Sequence, residues 1–115
     1  MAQTIKQVNL EQGMPTWEQA ERKLLGEITL AKKTGIRVLK IIHGYGSTGV
    51  GGKLRVETQK LLVERKRRSL IKDFVPGEEW SKYLPTTKDL LNRYPKLKDD
   101  SDLNHQNEGM TIVII

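Results

Sequence analysis

VLKIIHGYGSTGVGGKLR, residues 38–55, is the stretch whose reading decides the fold. It opens as an apolar, β-branched run (Val38, Leu39, Ile41, Ile42) that stops at His43. Gly44, Gly46, Gly49, Gly51 and Gly52 follow, then Lys53 and Arg55, then a long segment of helix-forming composition. A strand that feeds a glycine-rich loop and then a helix is the start of an α/β arrangement. It is also a good geometry for holding a phosphate. Loop N–H groups are free to point at an anion, and the first helical turn adds its own unpaired donors. Glycine lets the backbone approach closely and take positive φ. His43 stands at the strand's end, where a side chain can face the same anion.

Working outward, the flanking segments supply the rest of an α/β unit. Residues 4–10 carry Ile5, Val8 and Leu10 and read as a first strand, broken by Gly13, Met14 and Pro15. Thr16 has the chemistry of an N-cap, with Gln19 placed to complete a capping box. The helix expected over residues 17–33 repeats Ala20, Leu24, Ile28 and Ala31 at three- and four-residue spacing, and Gly35 is a natural stop. Strand two then covers residues 36–42, apolar on both faces as a central strand is. The second helix covers residues 53–67. Leu54, Leu61 and Leu62 can pack inward with Val56 or Thr58 beside them, and the polar face holds Arg55, Lys60, Arg65, Lys66, Arg67 and Arg68.

Residues 69–75 read as strand three, closed by the Pro76-Gly77 turn. A polar excursion over residues 78–108 contains one short helix, residues 87–93, and the loop-like acidic run Asp99, Asp100, Asp102. Gly109 opens a final strand, residues 110–115. An uncharged β-rich run left exposed invites aggregation, so this strand belongs inside the sheet. The expected fold class is α/β: a two-layer α/β sandwich, β-α-β-α-β-β, with a four-stranded sheet, two main helices and a short helical insert before the last strand. The 115 residues make one domain of ordinary size.

Composition narrows the chemistry. Twenty Lys and Arg stand against 14 Asp and Glu, a net charge of +6, which favours an anionic partner such as nucleic acid. There is no cysteine, which excludes disulfides, thiolate nucleophiles and cysteine zinc sites. No secretory leader is evident and no apolar run is long enough for a membrane helix, so the expected location is cytoplasmic. Asp99, Asp100 and Asp102 lack the glycine and late glutamate of a calcium-binding EF-hand loop and read as a solvated acidic loop.

The glycine loop fits several patterns unequally. Gly44, Gly46 and Gly49 satisfy G-x-G-x-x-G after a strand, but a dinucleotide fold needs a second βαβ half that this chain lacks. A P-loop needs glycine where Ser47 stands and a hydroxyl where Leu54 stands. A plain structural turn is disfavoured by five glycines within nine residues beside Lys53 and Arg55.

The string HGYGSTGVGGKLR resembles the H-G-x-G core motif of the small MutS-related (Smr) domain family, including the L-R that opens its second helix. Residues 16–35 resemble the family's first helix, and GMTIVII, residues 109–115, its closing G-x-T-x-V strand. The resemblance implies an α/β sandwich similar to the C-terminal domain of a bacterial translation initiation factor. It also implies binding of DNA or RNA and, in many members, nicking endonuclease or ribonuclease activity. One motif departs. Where the family carries L-D-L-H-G, this chain has Asn9 for the aspartate and Glu11 for the histidine.

Under that resemblance the candidates for chemistry are His43 and Glu11. Those for phosphate binding are Gly44, Tyr45, Gly46, Ser47, Gly49, Gly51, Gly52, Lys53, Arg55, Arg65 and Lys66. His43 would meet a scissile phosphate as a general acid or as a charged clamp, and Glu11 could act as a base or metal ligand. Tyr45 is the better stacking candidate, Trp17 reads as packing, and Trp80 stays undecided. No cofactor is evident; a divalent metal, magnesium or manganese, belongs only to the nuclease reading. Three functions stay open: a nucleic-acid-binding endonuclease, a non-catalytic nucleic-acid-binding or adaptor module, and a nucleotide or small-phosphate binder. A protein partner could use the insert.

Overall fold

The computed structural model describes residues 4–44 and 50–115. Four strands form one mixed sheet: β1 (Ile5–Asn9), β2 (Val38–Ile42), β3 (Asp73–Pro76) and β4 (Met110–Ile114), in the spatial order β1-β2-β4-β3. β1 and β2 are parallel; β4 runs antiparallel to both of its neighbours, β2 and β3. The final strand therefore lies inside the sheet, as its uncharged composition requires. Met110, Ile112 and Val113 are fully buried there, each contributing about 1.5–3 kcal/mol of apolar burial.

Two long helices cover one face. α1 (Trp17–Thr34) begins at the expected capping box: the Thr16 hydroxyl accepts from the Gln19 N–H, and the Gln19 side chain accepts from the Thr16 N–H. It ends at Gly35, whose φ of 78° is the left-handed value a glycine adopts without strain. Ile36 gives its N–H to Ala31 O in the same cap, which delays β2 until Val38. α2 (Val50–Arg67) starts three residues earlier than its composition suggested. Its inward stripe is Leu54, Thr58, Leu61 and Leu62; Val56 lies on the opposite side, in solvent. The helix closes through Ser69, at φ 59°, whose N–H bonds Lys66 O, while the Leu70 N–H bonds Arg65 O. Residues 69–72 are thereby a turn, and the third strand is shorter than its apolar run. Leu39, Ile41 and Val113 meet Ala20, Leu24, Ile28, Ala31, Leu54 and Leu62 in this core. Trp17 packs against it.

The insert covers the other face. A turn of 3-10 helix (Gly77–Glu79), the helix α3 (Pro85–Arg93) and a second 3-10 turn (Pro95–Asp99) carry Trp80, Leu90, Leu91 and Leu97 onto Val38, Val75, Met110 and Ile112. Gly77 sits tightly against the end of the insert, since a Cβ there would fall 1.8 Å from the Asn107 carbonyl oxygen. Trp80, undecided on sequence, is a core residue at 1% exposure.

Strand alternation sends Lys40 to this second face, between Val38 and Ile42. It is buried, and its ammonium bonds Asp100 at 2.7 Å and Asp102 at 2.6 Å. Trp80 Nε1–H donates to the other Asp100 oxygen, and Asn107 Nδ2–H donates to Asp102. These two aspartates are therefore ion-pair partners of a buried lysine and not part of a solvated loop. Burial lowers the Lys40 pKa, but the hydrogen bonds and charges of Asp100 and Asp102 outweigh it and leave the pKa raised. The Lys40 hydrogen bond holds the Asp102 carboxyl below its ordinary value. No helix among the described residues is long and apolar enough to cross a membrane.

Removing one partner of a buried ion pair leaves the other uncompensated. Lys40→Met should lower stability by about 3 kcal/mol. Adding Asp100→Asn and Asp102→Asn should recover part of that loss in urea unfolding. A triple variant no better than Lys40→Met would show that the methionine packs badly and that the charges are not the cause.

Candidate nucleic-acid interface

The sheet register defines two poles. Asn9, Ile42, Met110 and Pro76 mark the end where β1 and β2 finish; Ile5, Val38, Ile114 and Asp73 mark the other. At the first pole β2 runs out into His43 and Gly44, whose N–H groups both point to Gly109 O at 3.0 Å. Residues 45–49, which include Tyr45, Gly46, Ser47 and Gly49, lie outside the described residues. Gly51 and Gly52 fall in the first turn of α2, a turn with no acidic residue.

His43 continues the parity of Leu39 and Ile41, so its ring points under the helices, and it is 0% exposed. Nδ1 lies 2.7 Å from Gly44 O and Nε2 lies 2.9 Å from Thr111 Oγ1. A carbonyl only accepts, so Nδ1 carries the proton and Nε2 accepts from the Thr111 hydroxyl. Burial lowers the His43 pKa; the Gly44 carbonyl opposes this, Arg55 reinforces it, and Glu78 and Glu11 oppose it. The imidazole is neutral near pH 7, with both nitrogens engaged inside the protein. It pins the strand exit to β4.

Glu11 reaches the same place from β1. Its N–H bonds Asn9 Oδ1 at 2.8 Å, an Asx turn that aims the residue across the sheet end. Its carboxylate lies against Gly44: a Cβ there would fall 1.9 Å from Glu11 Oε1. Gly44 also has φ 77°, the left-handed value that favours glycine. Arg55, one and a half turns into α2, forms an ion pair with Glu78 at the start of the insert, and both are about 70% buried. Arg55 Nε and Glu78 Oε1 are buried without a hydrogen-bond partner among the described residues. Lys53 is exposed.

The structure thus brings Glu11, His43, Gly44 and Arg55 together, with Gly52 and Lys53 in the same first turns of α2. It does not bring Arg65 and Lys66 to them. These lie at the opposite pole, Lys66 about 20 Å along the helix axis from Lys53. Lys66 is paired with Asp73 at 2.9 Å and Arg65 with Glu64 at 3.6 Å. Sequence reasoning missed Thr111 and Glu78 as members of the site. Thr111 looked like one more β-former in the last strand, and Glu78 like one more polar residue of the insert. Among the described residues no three of His, Asp and Glu come together as a metal-ligand set.

The Smr domain family model matches residues 12–82, more than half of the chain. The match takes in α1, β2, the glycine loop, α2, β3 and Trp80, and leaves β1, α3 and β4 outside. No curated protein and no solved structure matches the chain.

Two predictions follow from His43 and Gly44. The unfolded chain takes up a proton near the ordinary value of 6.5, the folded chain only at lower pH. The His43 contribution to stability should therefore be level above about pH 6.5 and fall as pH drops below it. Urea midpoints at pH 7.5 and 5.5 should differ, and the difference should shrink in His43→Gln; equal midpoints in the unaltered protein would mean the ring is not desolvated. Gly44→Ala should cost about 1–2 kcal/mol from its left-handed backbone. Glu11→Ala in that background should restore little, because an exposed carboxylate can swing aside; full rescue would make the contact the dominant constraint.

Proposed function

This chain belongs to the Smr domain family, a nucleic-acid-binding and nuclease-type family, and we propose that it binds DNA or RNA at the pole where β1 and β2 end. The observation that carries the reading is the start of α2. The helix follows the glycine-rich segment directly in sequence, has no acid in its first turn, and presents Lys53 to solvent. Its first-turn N–H groups, which have no partner inside a helix, and the positive end of its dipole favour a phosphate there. His43 is a positioning residue in this reading: it holds Gly44 against β4 and gives no proton to the ligand. Arg55 is held by Glu78 and would contribute through its remaining N–H groups or by exchanging partners.

A second reading, phosphodiester hydrolysis, is favoured by Glu11. Its carboxylate abuts Gly44 and is exposed, so it could take a proton from an attacking water. Magnesium or manganese would belong to that chemistry, with Glu11 the residue best placed to meet it.

The test is fluorescence anisotropy with labelled single-stranded RNA and duplex DNA, with cleavage followed in parallel with and without magnesium or manganese. Binding should weaken with salt, and Lys53→Gln should reduce affinity by a few-fold to about tenfold. Cleavage lost in Glu11→Gln would select the hydrolytic reading; binding without cleavage would select the binding module. Neither binding nor cleavage would overturn both.

A further inference from the structure

The cations of α2 fall into two classes. Arg55, Arg65, Lys66 and Arg68, just past the helix end, lie against carboxylates: Glu78, Glu64, Asp73 and Glu64 again. Lys53 and Arg67 form no ion pair with the described residues. Lys60 is 71% exposed, with only Glu57 nearby at 3.7 Å. The second class is a line. Lys53, Lys60 and Arg67 are seven residues apart, nearly two full turns, so they repeat on one side of the helix at about 10.5 Å. Turning 100° per residue puts this side opposite Leu54, Thr58, Leu61 and Leu62, in open solvent. Val56 and Val63 lie along one flank of the row, at 48% and 57% exposure. Glu57 and Glu64 lie along the other flank, Glu57 facing Lys60 at 3.7 Å and Glu64 engaged by Arg65 and Arg68.

We infer that this outer ridge of α2, Lys53-Val56-Lys60-Val63-Arg67, is a second nucleic-acid contact that carries the phosphodiester backbone away from the glycine-loop pole. The inference rests on the nucleic-acid reading of that pole and extends it. Lys53 belongs to both surfaces, so the row begins where the pole ends and the two are continuous. The ridge fits a polyanion of repeating charge and carries no aromatic side chain on which a base could stack. It therefore reads backbone and not sequence. Phosphates on one strand of a duplex advance about 3.4 Å along the axis, so the 21 Å row faces about six steps. The valines supply small apolar contacts beside the phosphates, where sugars lie. Binding at the pole needs only a short ligand, whereas binding along the ridge needs a long one.

The experiment compares Lys60→Gln/Arg67→Gln with Arg65→Gln/Lys66→Gln, two surface variants with the same change in net charge. Each is titrated with a labelled 20-base-pair duplex and a labelled trinucleotide over a range of salt. The ridge variant should bind the duplex about tenfold more weakly and lose nearly two from its log–log salt slope, since each lost phosphate contact removes about 0.9. It should bind the trinucleotide as the unaltered protein does. The Arg65/Lys66 variant should change far less, because Asp73 holds Lys66 at 2.9 Å and Arg65 is only 20% exposed. Equal losses in the two variants would mean a diffuse charge effect and would overturn the ridge. No loss in the ridge variant would overturn it too, and leave the row to an acidic protein partner. If the unaltered protein binds the trinucleotide but gains nothing from the longer duplex, the ridge falls and the pole stands. If it binds neither, the underlying reading falls with it.

Discussion

The whole arrangement depends on where an uncharged strand can go. Residues 110–114 carry no charge, and most of their side chains are buried. Such a strand is stable only with a partner on each edge and a cover on each face. β2 and β3 supply the edges. One cover is the α1–α2 layer; the other is the insert. Without β4 the third strand has no neighbour at all, and the β1–β2 pair has an open edge. The strand and the residue just before it also supply the groups that organise the candidate site, because the Gly109 carbonyl and the Thr111 hydroxyl tie down His43 and Gly44.

The candidate site is built by termination. Two parallel strands end side by side, and each then changes direction by local chemistry: an Asx turn after Asn9, a left-handed glycine after His43. The side chains that result are of two kinds. His43 faces inward and fixes geometry; Glu11, Lys53 and, in part, Arg55 face the space outside. This separation explains why a histidine in a family motif need not touch a ligand. A buried neutral imidazole with both nitrogens engaged can set the position of the backbone that does.

Much of the fold was legible because its signals are local. The Thr16/Gln19 box and the Gly35 cap mark both ends of α1, and the periodicity of residues 20–31 marks its buried side. The interior position of β4 follows from its composition. The boundaries of β2 and β3 were misjudged where helix caps took N–H groups from apolar residues, at Ile36 and Leu70. Lys40 was not legible, since its partners Asp100 and Asp102 are sixty residues away and looked like a solvated acidic run. For His43 the clue was available: it follows Leu39 and Ile41 on the same side of the strand, so alternation alone directs it inward. The separation of Arg65 and Lys66 from the loop was likewise implicit in helix length, since both sit in the last turn of a helix that starts at the loop.

Lys40 has a consequence for how this sequence can change. A lysine in the middle of a sheet face is tolerable only under a cover that brings carboxylates to it. An apolar residue there would, in turn, strand Asp100 and Asp102 beneath the insert. The lysine and the cover are thus a matched pair, and neither is free to vary alone. A chain of this architecture with a short connection between β3 and β4 would need a different residue at this point of β2. Such a chain could reach this one only by a path that alters strand and insert together.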